Sequence, residues 1–380
     1  MQKIIEFNLG RYSRLSEISP DEDIKIQSQD DILWQEITNK LSNYCILYKS
    51  LSASVEVSWL PVVKHKKALD EVTNRISNQI TTESYDSDFL NQFSALYFKK
   101  IPLIAKIDID GTLTESEEAF LPKIILEKYL YDVFMIANLA SPGSCDFLNI
   151  EFPRKNGHPE KLFLSSYFFE CMYMENIKNQ SLPIHQLDFN LVMFWYKNVN
   201  STLKTISETN IEKALFSTMH ICKRESFDET TIVWIFHALE ALFGTKIGEG
   251  FSNIINRMAL LLELDDKQKE KTKKTLRKMY DFRSSLVHGG YKVPHPIRPV
   301  DIDNHIENKI MDNHELCESG FNMIISSIQK MISNNWQDLC INEMYRSSYH
   351  LTPASNRCLV YATLVRTSFG INFRPFLNML

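Results

Sequence analysis

The pattern of hydrophobic and polar positions changes character near residue 200. Before that point, runs in which apolar and polar residues alternate are mixed with runs that have helical spacing. Alternation is typical of half-buried strands, and a period of 3.6 is typical of amphipathic helices. Strands are predicted over 3–8, 53–60, 101–108 and 146–152, and helices over 68–79 and 122–139.

After residue 200, apolar residues recur at helical spacing almost throughout. Five helices are predicted there, over 202–223, 228–243, 251–263, 266–288 and 301–335. The predicted fold class is therefore α+β, with a mixed α/β N-terminal domain followed by an all-α bundle. We expect domains over 1–200 and 201–340, and a C-terminal extension over 341–380 that packs on the bundle and is part-helical over 355–367.

Some positions have a less regular pattern. The segment 32–48 has helical spacing but a β-prone end, and the aromatic-rich segment 162–173 fits either a strand or a helix. Pro122 is expected in the first turn of its helix, where its missing N–H costs nothing. Gly320, in the middle of 301–335, is a residue that can interrupt a helix.

The predicted helix 266–288 carries the most distinctive charge pattern. Asp265 or Asp266 can cap its start, and Gly289-Gly290 is a strong stop signal. Its first half is basic, with Lys267, Lys269, Lys271, Lys273, Lys274, Arg277 and Lys278. Arg283 shares the apolar face with Met279, and His288 closes the helix. Because five residues rotate about 140° in an ideal helix, Arg283 and His288 share one site only if the helix loosens at the Gly pair or the site is a cleft.

The end of this helix resembles a known signature. It reads KMYDFRSSLVHGG, similar to the Arg-x(4–6)-His pattern of the HEPN superfamily and, more narrowly, to the Apea-like HEPN domains of bacterial defence proteins. The matching positions are Tyr280, Asp281, Arg283, Ser284, His288 and Gly289. Two upstream helices fit the family as well: 234–243 carries an acidic residue, Glu240, and 251–262 carries a mid-helix Arg257. The resemblance covers roughly residues 205–335.

The resemblance implies a metal-independent endoribonuclease in which the ribose 2′-OH attacks the neighbouring phosphate. A His titrates near neutral pH and suits general acid/base work, and an Arg matches phosphate oxygens. Arg283 and His288 are thus the catalytic candidates, with Glu240 as the residue that orients them. One His cannot easily serve as both base and acid. HEPN proteins generally pair their signature helices, so we expect a homodimer, 2′,3′-cyclic phosphate products and no cofactor or metal.

Other residues near the signature are candidates for RNA binding. Lys274, Arg277, Lys278 and Ser284 are expected to contact the substrate. The lysine-rich run also fits a merely solvated helix surface, and Glu240 also fits a structural partner of Arg257 or Arg283. A further alternative is a non-catalytic helical domain that only binds RNA or a partner, although the presence of both signature residues argues against it.

The resemblance further implies an abortive-infection effector of antiphage defence, a toxin that cleaves host or viral RNA, with tRNA as one candidate. The activity of a toxic nuclease must be inhibited until it is needed. We therefore expect the domain 1–200 to restrain it and to sense a trigger, such as a phage-derived molecule; this step rests on analogy.

A competing motif lies at 108–112. Its sequence DIDGT resembles the first motif of haloacid-dehalogenase-type phosphatases, which would make Asp108 the nucleophile and Asp110 the general acid beside Mg²⁺. Such enzymes need a doubly wound parallel sheet, yet the chain predicts no strands after residue 200. The alternative is a strand that ends in an Asp-Gly turn.

Composition narrows the remaining classes. The 380 residues can hold two domains, and 44% hydrophobic with 23% charged residues is ordinary for a globular protein. A net charge of −5 gives no global nucleic-acid signature, so RNA binding would need a local patch. Seven scattered cysteines predict reduced thiols in a cytoplasmic protein. No apolar h-region opens the chain and no run approaches membrane-spanning length, so no membrane association is expected.

Overall fold

The N-terminal half of the computed structural model is organised around one antiparallel sheet. Its six strands lie in the order β2-β3-β4-β1-β5-β6, and every neighbouring pair is antiparallel. Together with the helices this confirms the α+β class. The structure describes residues 1–12, 20–81, 87–154, 157–179, 182–223, 228–244, 251–293, 295, 304–339, 342–344 and 359–361.

The elements up to residue 179 combine strands and helices. They are β1 (Gln2–Leu9), α1 (Pro20–Lys40), β2 (Asn43–Tyr48), β3 (Leu51–Val57), α2 (Leu60–Thr81), α3 (Ser87–Tyr97), β4 (Ile101–Asp110), α4 (Glu115–Ala140), β5 (Phe147–Phe152), β6 (Glu160–Leu164) and α5 (Tyr167–Asn179). The four predicted strands are confirmed, and the two open segments each contain two elements: 32–48 runs from α1 into β2, and 162–173 runs from β6 into α5.

The later elements are almost all helices. They are α6 (Phe189–Asn200), α7 (Asn210–Cys222), α8 (Thr231–Leu242), α9 (Phe251–Leu261), α10 (Asp266–Val287), α11 (Asn304–Ser333), and the short paired strands β7 (Asn342–Met344) and β8 (Leu359–Tyr361). The three described residues within 355–367 form a strand, and the other residues of that predicted part-helical segment lie outside the described residues. The remainder of the C-terminal extension lies largely outside the described residues.

The sheet has one buried and one exposed face, because successive side chains along a strand point to opposite faces. In β4 the odd positions from Ile101 to Ile109 are buried and the even positions from Pro102 to Asp110 are exposed. Helix α4 covers the buried face, and residues 132–140 of α4 are buried on all sides. The polar side chains in that stretch have partners: Lys128 Nζ lies 2.6 Å from Asp132 Oδ1, and Asn138 Nδ2 donates to Cys145 O at 2.7 Å.

Three helix starts differ from the sequence prediction by more than three residues. Helix α2 begins at Leu60 rather than at 68. Helix α4 begins at Glu115 rather than at Pro122, because Thr114 and Glu117 form a capping box; Glu117 N–H donates to Thr114 Oγ1 at 3.3 Å. Pro122 therefore lies inside the helix. The predicted helix 202–223 begins only at Asn210, after a second capping box between Thr209 and Glu212.

Helix α11 is continuous through Gly320. A Cβ at this glycine would lie 2.4 Å from Met279 Cε and 2.7 Å from Ile235 Cγ2, so the missing side chain lets α8 and α10 approach closely. Gly320 therefore allows close packing of the three helices and does not interrupt α11.

A single side chain of α11 ties the helical half to the sheet half. Buried Gln329 donates from Nε2 to Leu139 O at 3.0 Å and to His185 O at 2.8 Å, and its Oε1 accepts from His185 N–H at 2.9 Å. Buried hydrophobic residues of both halves form one continuous core. The predicted boundary near residue 200 falls at the end of α6, which packs against α4, α7 and α11.

In the described part of the chain, no helix combines the length and the apolar character needed to cross a membrane.

Candidate functional site

Helix α10 stays regular up to His288. Asp265 caps its start in a box with Gln268, whose N–H donates to Asp265 Oδ1 at 2.7 Å. At the other end the His288 N–H still donates to Ser284 O at 3.0 Å, and the chain turns away at Gly289, which has φ +74°. The helix therefore does not loosen before His288. Arg283 and His288 keep an angular separation of about 140° around its axis.

Arg283 is directed towards the bundle. Its guanidinium carbon lies 6.0 Å from the centre of the Phe236 ring on α8, within the range of a cation–π contact. Its Nε is buried and lacks a hydrogen-bond partner among the described residues, although the residue as a whole is half-buried. Glu240, also half-buried, is one turn beyond Phe236 on the same face of α8. The structure thus places Arg283 beside the helix that carries Glu240.

His288 is exposed and belongs to a different face of α10. It follows Arg277, Asp281 and Ser284 at spacings of four, three and four residues, which align them in one stripe. Within that stripe, Arg277 Nε and Asp281 Oδ1 are 3.3 Å apart. Two predicted substrate-binding residues, Arg277 and Ser284, therefore share a face with His288 and not with Arg283.

Four lysines form a second stripe along the exposed side of α10. They are Lys267, Lys271, Lys274 and Lys278, which extend over about 16 Å of helix and point within about 60° of one another. None of the four is in an ion pair with another described residue, whereas Lys273 lies 3.4 Å from Glu270. This lysine stripe runs beside the His288 stripe, and together they form a surface with an excess of positive charge, although it also carries the exposed carboxylate of Asp281.

A series of three aromatic rings with a guanidinium group at each end runs from α9 across α10 to α8, and we call it the ring ladder. The guanidinium carbon of Arg277 lies 5.3 Å from the ring centre of Phe251. The ring centres of Phe251 and Tyr280 are 5.8 Å apart, and those of Tyr280 and Phe236 are 6.1 Å apart. The guanidinium carbon of Arg283 then lies 6.0 Å from the ring centre of Phe236. Sequence reasoning missed Phe236 and Phe251. The signal available was an aromatic residue near the start of each family-like helix.

The turn after His288 is held by Tyr291. Its ring packs 5.6 Å from Phe282, the Lys309 ammonium lies 4.4 Å from its centre, and its hydroxyl lies 3.3 Å from Glu229 Oε1. Burial, and then the charge of Glu229, raise the pKa of Tyr291. The backbone that presents His288 is thus fixed on both sides.

Arg257 has a structural position. It is buried, and its Nη1 donates to Phe243 O at 2.6 Å and to Gly244 O at 3.2 Å, which satisfies carbonyls at the end of α8. An Arg at the centre of α9 therefore fixes the end of the helix that carries Glu240.

Asp108 and Asp110, the alternative site, lie on the exposed face of β4. Gln2 Nε2 donates to Asp108 Oδ2 at 3.3 Å. β4 is antiparallel to both β1 and β3, so this sheet is not the parallel, doubly wound sheet that the phosphatase alternative requires. Among the described residues, no three His, Cys, Asp or Glu side chains are grouped so as to hold a metal ion.

Comparisons with protein-family models, with curated proteins and with solved structures give no significant match. The resemblance to HEPN domains therefore rests on the residues named above.

Proposed function

We propose that this chain is a metal-independent endoribonuclease of the HEPN type that cuts RNA through attack of the 2′-OH. The supporting observation is the exposed imidazole of His288 at the border of the basic surface on α10, where a phosphate chain would be drawn to the lysine stripe. His288 transfers the proton, and Arg283 stabilises the charge that develops on the phosphorane. Glu240, on the helix beside Arg283, orients the guanidinium.

The proposal requires two copies of the chain. In one copy Arg283 faces Phe236 and His288 faces solvent, so a single α10 presents them in different directions. A homodimer that pairs the α10 ends would bring a second His288 and a second Arg283 to the same cleft. Two imidazoles would then divide the roles of base and acid.

The ring ladder adds a means of holding unpaired bases. Tyr280 is exposed, Phe251 is half-buried, and Arg277 is exposed beside them. Single-stranded RNA is commonly bound by aromatic and Arg planes beside a basic groove. Lys274 and Lys278 would contact phosphates while Tyr280 stacks on a base. We therefore infer that the substrate is single-stranded where it is cut, as in a loop, and a tRNA loop is one candidate.

Antiphage defence is the biological role that we propose, by analogy with the HEPN-containing defence proteins that the signature resembles. The nuclease would act in the cytoplasm as an abortive-infection toxin. The sheet half would restrain it until a trigger, such as a phage-derived molecule, binds.

A non-catalytic RNA- or partner-binding module is the second candidate. The observation that favours it is the position of Arg283, which is held over Phe236 with its Nε buried, as expected of a packing residue. A binding module would need the lysine stripe but not His288.

RNA cleavage by matched variants distinguishes the two. We expect labelled RNA to be cut by the wild-type protein in EDTA, leaving 2′,3′-cyclic phosphate ends. His288→Ala should lower the rate by about 10²–10⁴-fold, the usual contribution of a general acid or base. Arg283→Ala should lower it by about 10²–10³-fold. The exposed residues His158 and Arg154, in the sheet half, provide controls: His158→Ala and Arg154→Ala should cut at the wild-type rate.

Three results would count against the nuclease. RNA binding without cleavage under all conditions would favour the binding module, and a His288→Ala protein that cuts normally would exclude the proposed proton transfer. Mg²⁺-dependent phosphate release that is lost in Asp108→Asn would favour the phosphatase instead.

A further inference from the structure

The sheet half contains a cleft that the proposed nuclease chemistry does not use. It has a volume of about 360 Å³ and lies where the end of β1, the start of β4, β5, β6, α2 and the end of α3 meet. This volume is in the range of small-molecule sites. We call it the β1–β5 cleft.

Three cations surround the β1–β5 cleft. They are Arg11, Lys100 and Lys161, and the only carboxylate that lines it among the described residues is Glu151. Lys100 Nζ lies 2.7 Å from Glu151 Oε2, while Lys161 is exposed and has no ion-pair partner in the described part of the chain. Arg11 is paired with Asp146 and lies 3.8 Å from Glu170, both outside the lining, so Lys161 is the cation of the three that offers an anionic ligand a charge not already in an ion pair with a described residue.

Arg11 is fixed from behind. Its Nε lies 2.8 Å from Oδ2 of Asp146, a carboxylate that is 1% exposed. Since Arg11 itself lines the cleft, the buried carboxylate holds a cationic side chain in place before any ligand arrives.

A buried histidine also lines this cleft. His65 is 8% exposed, its Nδ1 lies 2.8 Å from Tyr12 Oη, and its Nε2 is buried and has no hydrogen-bond partner among the described residues. Burial and the charge of Lys99 lower the pKa of His65, although the Leu96 carbonyl partly offsets them. Buried polar atoms almost always have partners. The Leu96 backbone acts on this imidazole, but Nε2 makes no hydrogen bond of full geometry with a described residue, so a ligand or water there would complete its partners.

The wall of the cleft is built with unusual backbone geometry. Strand β5 has a register shift between Phe147 and Ile150, and Asn149 within it has φ +69°. Gly10 N–H donates to Asn149 O at 3.0 Å, and a Cβ at Gly10 would lie only 3.1 Å from that oxygen. Bulges of this kind are common beside functional sites because they redirect side chains.

The rim of the cleft carries aromatic rings. Phe98 is 77% exposed and packs edge-on against Tyr97 at 5.1 Å, and Tyr97 in turn stacks on Phe93 at 5.5 Å. An exposed phenyl ring beside three cations is suited to a ligand that combines a planar ring with negative charge.

We propose that the β1–β5 cleft binds a mononucleotide, with its phosphate at Lys161, Lys100 and Arg11 and its base against Phe98. This site is independent of the proposed RNA cleavage, and it assigns to the sheet half a ligand of defined chemistry.

Calorimetry on the full-length protein tests the site, with AMP, adenosine and inorganic phosphate as separate probes. We expect AMP to bind more tightly than either fragment. Lys161→Ala and Phe98→Ala should each weaken AMP by roughly tenfold, the usual contribution of a charged hydrogen bond and of a base stack. Both side chains are exposed, so both variants should fold, as circular dichroism would verify. Lys106→Ala, on the outer face of the sheet, and Lys278→Ala, on α10, are the matched controls and should bind AMP normally.

The assignment would be overturned if AMP did not bind at millimolar concentration, or if adenosine or phosphate bound as tightly as AMP. It would also be overturned if Lys278→Ala weakened AMP as much as Lys161→Ala, because the nucleotide would then bind at α10. None of these results bears on RNA cleavage, so the two proposals can fail separately.

Discussion

Asp146 shows how strongly burial acts on one ionisable group. It accepts a hydrogen bond from the Ser166 N–H at 3.3 Å and lies beside Arg11, yet it is almost fully buried. Burial raises its pKa to about 7; Glu170 acts in the same direction, and Arg11 opposes them. The carboxylate that positions a cleft cation is thus itself sensitive to pH near neutrality.

This raised pKa gives a definite pH dependence of stability. The unfolded chain loses the proton near the ordinary value of 3.8, whereas the folded protein keeps it up to about 7. The folded state therefore binds more protons in this window, and the contribution of Asp146 to stability falls as pH rises through it. Asp146→Asn should flatten the decrease in the free energy of unfolding between pH 5 and pH 7, measured with urea.

The exposed residue Asp108 provides the matched control. Asp108→Asn should retain the wild-type dependence on pH. Equal slopes for the wild type and for Asp146→Asn would show that Arg11 keeps Asp146 ionised throughout.

At the scale of elements, α10 depends on where it ends. Gly289 has φ +74°, a conformation that costs residues with a Cβ about 1–2 kcal/mol, and no atom lies within 4 Å of an added Cβ there. Gly290 is not in this conformation, and an added Cβ would make only ordinary contacts at 3.7 Å. Substitution of each glycine by alanine therefore distinguishes the cost of backbone strain, at Gly289, from the cost of added side-chain contacts, at Gly290.

We expect Gly289→Ala to lower the free energy of unfolding by about 1 kcal/mol and Gly290→Ala to change it little. Chemical denaturation of both variants measures the difference. A similar loss in both variants, or a loss only in Gly290→Ala, would show that the left-handed conformation of Gly289 is not what makes a glycine necessary at this helix end.

The elements also show what periodicity predicts and what it misses. Apolar and alternating runs identified four strands of the sheet, and the alternation of buried and exposed positions is complete in β4 but not in β5. It did not locate the helix starts at Thr114 and Thr209, because a capping box is set by two side chains three residues apart rather than by a period. Order within the sheet also could not be predicted, since β1 pairs with β4 across about 100 residues of chain.

For the candidate site, the sequence identified Arg283, His288 and the exposed lysines but not their surroundings. Arg283 meets Phe236 because α8 packs across α10, and local spacing carries no information about which ring lies opposite. The β1–β5 cleft was missed for a similar reason: its cations come from separate strands and combine only in the folded sheet.

At the scale of the whole molecule, a net charge of −5 coexists with a basic surface on α10. If this surface binds RNA, affinity should fall with salt, because each phosphate contact releases counterions. Replacing Lys267, Lys271, Lys274 and Lys278 with Gln, in a His288→Ala background that does not cut, should reduce the slope of log affinity against log salt by up to about 3. Filter binding at several salt concentrations measures it.

A charge-matched control is available in the sheet half. Lys3, Lys64, Lys67 and Lys106 are exposed there, and replacing them with Gln removes the same four charges, from −5 to −9. We expect this control to keep the steeper slope. Equal changes in both proteins would mean that only total charge matters and that α10 holds no specific RNA surface.

The amide of Gln329 limits how regulation can operate. For the sheet half to move away from the helices, the three hydrogen bonds of the buried Gln329 side chain would have to break together. Because this side chain is buried, water would not replace those hydrogen bonds. If the sheet half regulates the helices as proposed, a ligand bound there would act through small shifts within the shared core rather than through a hinge. Inhibition would then depend on strain within the packed core, and activation would change the relative positions of the two halves very little.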